Sequence, residues 1–337
     1  MVSLDELTTR LQLVRREMKR KKIDAFLVTH LSNLRYLTGL SLSAGTLLVT
    51  SQSAQLFLDG RYQEVGQSLS RLLKVLSPDD FKETLSSLRF VAFESSDVTV
   101  ARLRSLQKRV PHIRWKETIG LIEEIRRQKS SSELACIRRA SRITKSVLAT
   151  IPSLLRLGIS ELELQHSIDD LARKNGAEGM AFTTIVAFGE HTSRPHHHAT
   201  ERVLLSTDLV QIDMGARSGG YCSDYSRVFF MAPPTPEQKK AFVSLKKAKK
   251  HAEGLVRPGV KPRELDLAAR SALQTCGYDK EFCHSLGHGL GLDIHEMPSL
   301  SSRSNEGPLL AGEVITIEPG LYFPGQWGMR LEDTIFV

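Results

Sequence analysis

The stretch "HSLGHGLGLDIHE", His284 to Glu296, places three histidines in thirteen residues. Imidazole ligates metals and moves protons near neutral pH, so such a run suggests a metal or acid–base centre. His284 and His288 stand at i, i+4, the spacing of a helix-borne metal pair. Gly287, Gly289 and Gly291 argue against a helix at this point. The run is therefore not self-contained, and any centre it serves must draw donors from elsewhere.

Four carboxylates stand where apolar strands are expected. Asp213 interrupts "LVQIDMGA", Asp224 heads "DYSRVFF", Glu318 interrupts "VITIEPG", and Glu332 sits in "MRLEDTIFV". Burying a carboxylate costs several kcal/mol unless it is paired or bound to a cation. Any one of them has a plainer reading, because strand residues alternate faces and a lone acid can point to water. The joint pattern is harder to dismiss. Asp213 and Asp224 flank "GARSGGYCS", whose glycines fit a hairpin turn that would bring the two together. Converging acids repel, and a divalent cation reverses the sign of that interaction. Two Asp, two Glu and one His form an oxygen-rich set suited to Mn²⁺, Co²⁺ or Zn²⁺. Two ions about 3.5 Å apart, sharing bridging carboxylates, would use all four acids. Such a pair holds a hydroxide between the ions and polarises a carbonyl, which is hydrolytic chemistry.

The elements that must position these residues alternate along 337 residues, a length that suggests two domains. Apolar residues recur at Leu4, Leu7, Leu11, Val14 and Met18 as on one face of a helix. Short apolar runs at 24–29, 45–50, 54–60 and 89–95 read as strands, and 100–110 as a helix. This is an α/β pattern over residues 1–124. "SSSEL" at 130–134 offers a serine cap with an acid in the first turn, so the second domain is placed at 125–337. There, helices are expected at 131–155, 160–175, 236–255 and 262–276, with strands at 182–189, 209–216, 225–231, 313–323 and 330–337. They come in pairs rather than in strict β-α-β order, which indicates α+β with an antiparallel sheet.

Composition narrows the classes. No apolar run is long enough to span a membrane, and the N-terminus lacks the pattern of a secretion signal. Four scattered cysteines without metal-finger spacing fit free thiols in a reducing cytoplasm. The net charge of +8 invites an anionic partner. However, "REMKRKK" closes a helix, where the dipole favours cations, and no nucleic-acid motif accompanies it or "KKAKK". Neither nucleic acid nor membrane is expected as a partner.

"QIDMGARSGGYCSDYSR", "HSLGHGLGLDIHE", "ITIEPGLYF" and "GMRLEDT" together resemble the pita-bread metallopeptidases: Xaa-Pro dipeptidases (prolidases), aminopeptidases P and methionine aminopeptidases. The resemblance implies Asp213, Asp224, His288, Glu318 and Glu332 as ligands of two divalent ions, with Mn²⁺ the expected metal and Asp224 and Glu332 bridging. "NLRYLTGL" and "LFLDGRY" resemble the creatinase-like N-terminal domain, which ordinary methionine aminopeptidases lack. The implied fold is thus a creatinase-like α/β domain followed by an α+β pita-bread domain with a curved antiparallel sheet. The implied activity is hydrolysis of the bond between an N-terminal residue and proline, by a hydroxide bridging the two metals. Short proline-containing peptides would be the substrates, and the enzyme a cytoplasmic homodimer. A methionine-type aminopeptidase and a non-catalytic peptide-binding pita-bread module are the alternatives.

By the same resemblance His196, after Pro195 and seventeen residues before Asp213, and His295, seven after His288, hydrogen-bond the substrate. Glu318 doubles as general base. His197 stands where that family usually has glycine. His197, His198 and His284 have no assigned role. Arg330 lies two residues before Glu332, on the same face by strand period, and would orient a ligand carboxylate or meet the substrate carboxylate. Val337 comes five residues after Glu332, short of where the family usually continues, so the last strand is expected to be less well secured.

Overall fold

The computed structural model describes residues 2–337. The chain forms two compact units, the first running to Arg126 and the second being Arg127–Val337. In the first, a six-stranded mixed sheet is made by β1 (Ala25–Val28), β2 (Thr46–Thr50), β3 (Ala54–Phe57), β4 (Lys74–Leu76), β5 (Phe90–Glu94) and β6 (Arg114–Thr118), in the order β4-β3-β2-β1-β5-β6. The helix Leu4–Arg20 buries Leu7, Leu11, Val14 and Met18, as its spacing requires, with Lys19 and Arg20 in its last turn.

The second unit pairs its strands antiparallel throughout. They are β7 (Gly179–Met180), β8 (Ile185–Phe188), β9 (Leu209–Met214), β10 (Ala216–Ser218), β11 (Tyr221–Cys222), β12 (Tyr225–Phe230), β13 (Gly287–Gly289), β14 (Glu296–Leu300), β15 (Val314–Ile317), β16 (Gly320–Phe323), β17 (Trp327–Arg330) and β18 (Asp333–Phe336). They fall into sheets ordered β11-β10-β7, β12-β9-β8, β14-β13-β15-β18 and β16-β17. The helices Ser131–Leu154, Glu161–Lys174 and Pro236–Glu253 each begin with a reciprocal capping box, at Ser130/Glu133, Ser160/Glu163 and Thr235/Gln238.

Two apolar cores flank the strands. Helices Ser131–Leu154 and Glu161–Lys174 pack Ile143, Val147, Leu164 and Ile168 with Val186, Val210, Ile212 and Tyr225. Helices Pro236–Glu253 and Pro262–Gln274 pack Leu245, Leu265 and Ala269 with Ile315, Ile317, Trp327 and Met329. Alternation then aims the other residues of each strand away from its core: Gln211 and Asp213, Asp224 and Ser226, Thr316 and Glu318, Arg330 and Glu332. The final strand, expected to be loose, is secured. It pairs with β15 along its whole length, and Val337 and Gly312 extend that pairing.

Candidate metal centre

The expected acids are not embedded in long strands. Only Asp213 is, in β9, which is buried on both faces, so the reading that it points to water fails. Asp224 sits between β11 and β12, Glu318 in the break between β15 and β16, and Glu332 between β17 and β18. The run at 313–323 is thus two strands, divided at the glutamate. Each break ends one backbone ladder and leaves its acid pointing between the two cores. The hairpin joining the aspartates turns at Gly219 and Gly220, both with positive φ, and Asp213 lies opposite Ser226 rather than Asp224.

His288 stands at the centre of the group. Its Nε2 lies 3.7 Å from Asp224 Oδ2 and 3.4 Å from Glu318 Oε1. Donor atoms of Asp224, His288 and Glu332 all fall within 4.8 Å of one another. The flanking glycines are sterically required. A Cβ on Gly287 would come within 2.1 Å of Thr316 O, and one on Gly289 within 2.1 Å of Met297 O. Backbone N–H of His288 donates to Thr316 Oγ1, and that hydroxyl donates to Glu318 Oε1 at 3.2 Å. His288 Nδ1 lies 2.9 Å from Gly289 O, which fixes the proton there and leaves the Nε2 lone pair facing the acids.

Without a cation this arrangement is electrostatically unfavourable. Asp213 Oδ1, Asp224 Oδ1 and Glu332 Oε1 are buried with no hydrogen-bond partner. Burial, then repulsion from Glu332, Asp213 and Glu318, pushes Asp224 well above the usual carboxylate range. Burial, then Glu318 and Asp213, does the same to Glu332. Burial raises Glu318 to about 8 and lowers His288 to about 4. Orphaned carboxylate oxygens around an imidazole lone pair are what a site for divalent cations presents, so the donor set fits such ions.

Arg330 is buried, and its partners are all within the protein. It donates to Asp213 Oδ2, to Ser226 Oγ at 3.0 Å, to Tyr322 Oη at 2.8 Å and to Pro195 O at 3.2 Å. Ser226 Oγ in turn donates to Glu332 Oε2 at 3.0 Å. The guanidinium thus orients ligand carboxylates, Asp213 directly and Glu332 through a hydroxyl, and its bonds to Asp213 and Ser226 leave no free position there for a substrate carboxylate. Gln211 exchanges hydrogen bonds with the backbone of Arg330, joining β9 to β17 without a ladder.

His295 meets His288 edge to face, ring centroids 4.4 Å apart. Burial, then the nearby His196, lowers its pKa. His196 is exposed and close enough to His284 and His295 to be felt by both. His284, without an assigned role from sequence, packs against Tyr322 with Nε2 3.2 Å from its hydroxyl, and burial lowers it to about 4. His197 points elsewhere, into Glu161. Ser226, Thr316, Gln211 and Tyr322 were not singled out from sequence. Strand parity with the acids was the available signal for the first three.

Residues 135–337 match Metallopeptidase family M24, and residues 10–128 the Creatinase/Prolidase N-terminal domain. The chain belongs to metallopeptidase family M24. Among M24 relatives, it is 35% identical over 324 residues to a Xaa-Pro dipeptidase of Pyrococcus horikoshii, covering 95% of this chain and 92% of the relative. Its fold superposes on a Xaa-Pro dipeptidase from Bacillus anthracis with TM-score 0.94 at 30% identity, over 98% of this chain and 95% of that one. An X-Pro aminopeptidase from Thermotoga maritima gives 0.89 at 29%, over 97% and 94%. The M24 fold is therefore the pita-bread architecture with a creatinase-type domain before it, and the chain is a metallopeptidase acting on peptides. No helix among the described residues is long and apolar enough to cross a membrane.

Proposed function

We propose that this M24 enzyme hydrolyses the bond between an N-terminal residue and proline. The partnerless carboxylate oxygens of Asp213, Asp224 and Glu332, with Asp224 and Glu332 beside His288, support the metal centre, and the similarity to Xaa-Pro dipeptidases supports the choice of bond. Asp213, Asp224, His288, Glu318 and Glu332 would hold two divalent ions. An oxygen-rich set with one imidazole favours Mn²⁺, with Co²⁺ or Zn²⁺ as alternatives. When bound, the ions supply a hydroxide nucleophile at neutral pH and polarise the scissile carbonyl.

The protein's own groups do the rest. Among the acids whose side chains pair with His288, Glu318 is the more exposed, at 16% against 7% for Asp224. It is therefore the acid able to exchange a proton with substrate, taking one from water and delivering it to the leaving imino nitrogen. A proline amide offers no N–H, so recognition must come from the carbonyl side. His295, kept neutral by burial, and the exposed His196 donate N–H groups to the developing oxyanion. Arg330 is a positioning residue that fixes Asp213 and, through Ser226, Glu332. Unpaired cysteines are consistent with a cytoplasmic enzyme.

The test is an assay of Mn²⁺-loaded protein on Ala-Pro and Ala-Pro-Ala beside Asp224→Asn. Release of alanine from Ala-Pro alone defines a dipeptidase, and release from Ala-Pro-Ala an aminopeptidase. Inactivity on both with Mn²⁺, Co²⁺ and Zn²⁺ overturns the proposal.

A further inference from the structure

Glu161 lies outside the centre described above. It opens the helix Glu161–Lys174 and is fully buried. Its Oε1 accepts from Phe188 N at 2.8 Å and faces His191 Nδ1 at 2.9 Å. Its Oε2 faces His197 Nε2 at 2.8 Å and accepts from Thr200 N at 3.0 Å and Thr200 Oγ1 at 2.7 Å. Burial alone would raise this carboxyl. Hydrogen bonds from His197, Thr200, Phe188 and His191 outweigh it and hold the pKa at about 2. Glu161 is therefore a buried anion, yet none of its five donors is a lysine or arginine. Arg202, the nearby cation, bonds Asp208 and approaches Glu190 instead.

We propose that Glu161, His191 and His197 form a third metal site, for a borderline divalent ion such as Zn²⁺, separate from the dinuclear centre. One donor atom from each residue lies within 4.8 Å of the others. The imidazoles are 4.5 Å apart between ring centroids, and each aims one ring nitrogen at a different oxygen of the same carboxylate. Two imidazoles, one carboxylate and an open fourth position make a tetrahedral Zn²⁺ set. The ion needs a lone pair on each facing nitrogen, so an N–H there must shift to the other ring nitrogen of the neutral imidazole and an imidazolium must lose its proton. Binding therefore tightens as pH rises, and it compensates the buried charge. The present N···O separations are those of hydrogen bonds. Donors at about 2.0–2.1 Å from a tetrahedral ion stand roughly 3.3 Å apart, so the group must open by about half an ångström. His191, in the short turn Gly189–Ser193 and partly exposed, has room to do so.

The site would clamp the segment from Phe188 to Thr200, which carries His196 next to His197. Its occupancy would therefore order the substrate-facing histidine without touching the dinuclear centre.

Equilibrium dialysis against Zn²⁺ with elemental analysis tests this on the full chain. The wild type should retain about one more zinc ion per chain than His191→Gln/His197→Gln, whose amides preserve hydrogen bonding, while His198→Gln retains the wild-type content. A second measurement does not depend on that variant folding. Asp224→Asn/Glu332→Gln, with the dinuclear centre disrupted, should still hold about one zinc ion at pH 8 and lose it at pH 5.5. Equal zinc in the wild type and a folded histidine double variant, equal loss in His198→Gln, or no zinc retained by Asp224→Asn/Glu332→Gln overturns the proposal.

Discussion

Removing the metals should make the second unit sensitive to alkali. In the metal-free protein Glu318 titrates at about 8 instead of 4.5 because it is buried. A carboxyl whose folded pKa is raised stabilises the fold fully below its unfolded pKa, and that stability is lost as pH rises through the folded pKa. The window is therefore pH 4.5 to about 8. At ~1.4 kcal/mol per pH unit, the loss over the whole window is on the order of 5 kcal/mol, of which about 3 kcal/mol falls above pH 6. Asp224 and Glu332 shift in the same direction, each raised by burial and by the neighbouring acids. Whole domains are stable by only about 5–15 kcal/mol, so a loss of this size is readily measured. The two units can unfold separately, so the probe must report on the second alone. The chain has two tryptophans, and Trp115→Phe leaves Trp327, buried in the core beneath β17, as the reporter. Urea midpoints of chelator-treated Trp115→Phe at pH 6 and pH 9 should differ strongly, and those of the Mn²⁺-loaded protein should not. Equal midpoints in the metal-free protein, or the same loss in the loaded one, would refute the claim that these acids are held together against their repulsion.

Three further outcomes follow from the same geometry. Asp224→Asn should cost activity by more than the ~10–100-fold typical of outer partners, yet raise the urea midpoint of the metal-free protein at pH 9, where the neighbouring acids ionise and the substitution removes a buried charge. Arg330→Met should destabilise the metal-loaded second unit by ~3–5 kcal/mol, because the buried Asp213 loses its brace, and Arg330→Lys should recover only part of this. Gly287→Ala, whose Cβ would meet Thr316 O at 2.1 Å, should lower metal affinity at least ~10-fold by calorimetry without altering the unfolding of the first unit.

The residues that the structure gathers at the centre were legible because carboxylates in apolar runs carry a desolvation cost visible in sequence. The capped helices were equally legible, since Ser130 with Glu133 and Thr235 with Gln238 are local patterns. The strand breaks at Glu318 and Glu332 were not. "VITIEPGLYF" reads as one run, and only tertiary packing decides that it joins two sheets. β7 and β11, two residues each, are too short to show any periodicity. Neutral brackets such as Gln211 and Ser226 bear no sequence mark, because their value lies in partners more than a hundred residues away. Arg330 shows both sides. Its face followed from the strand period, but its bond to Asp213 did not.

The grouped acids and His288 come from positions 213, 224, 288, 318 and 332, on segments that are neighbours only in the finished fold. On the ribosome the helices and the hairpin between Asp213 and Asp224 can form early, but Glu332 emerges after the other four donors. The full donor set therefore cannot exist until Glu332 has emerged. Completing the centre is thus a late event that follows the folding of the segments carrying its first four donors.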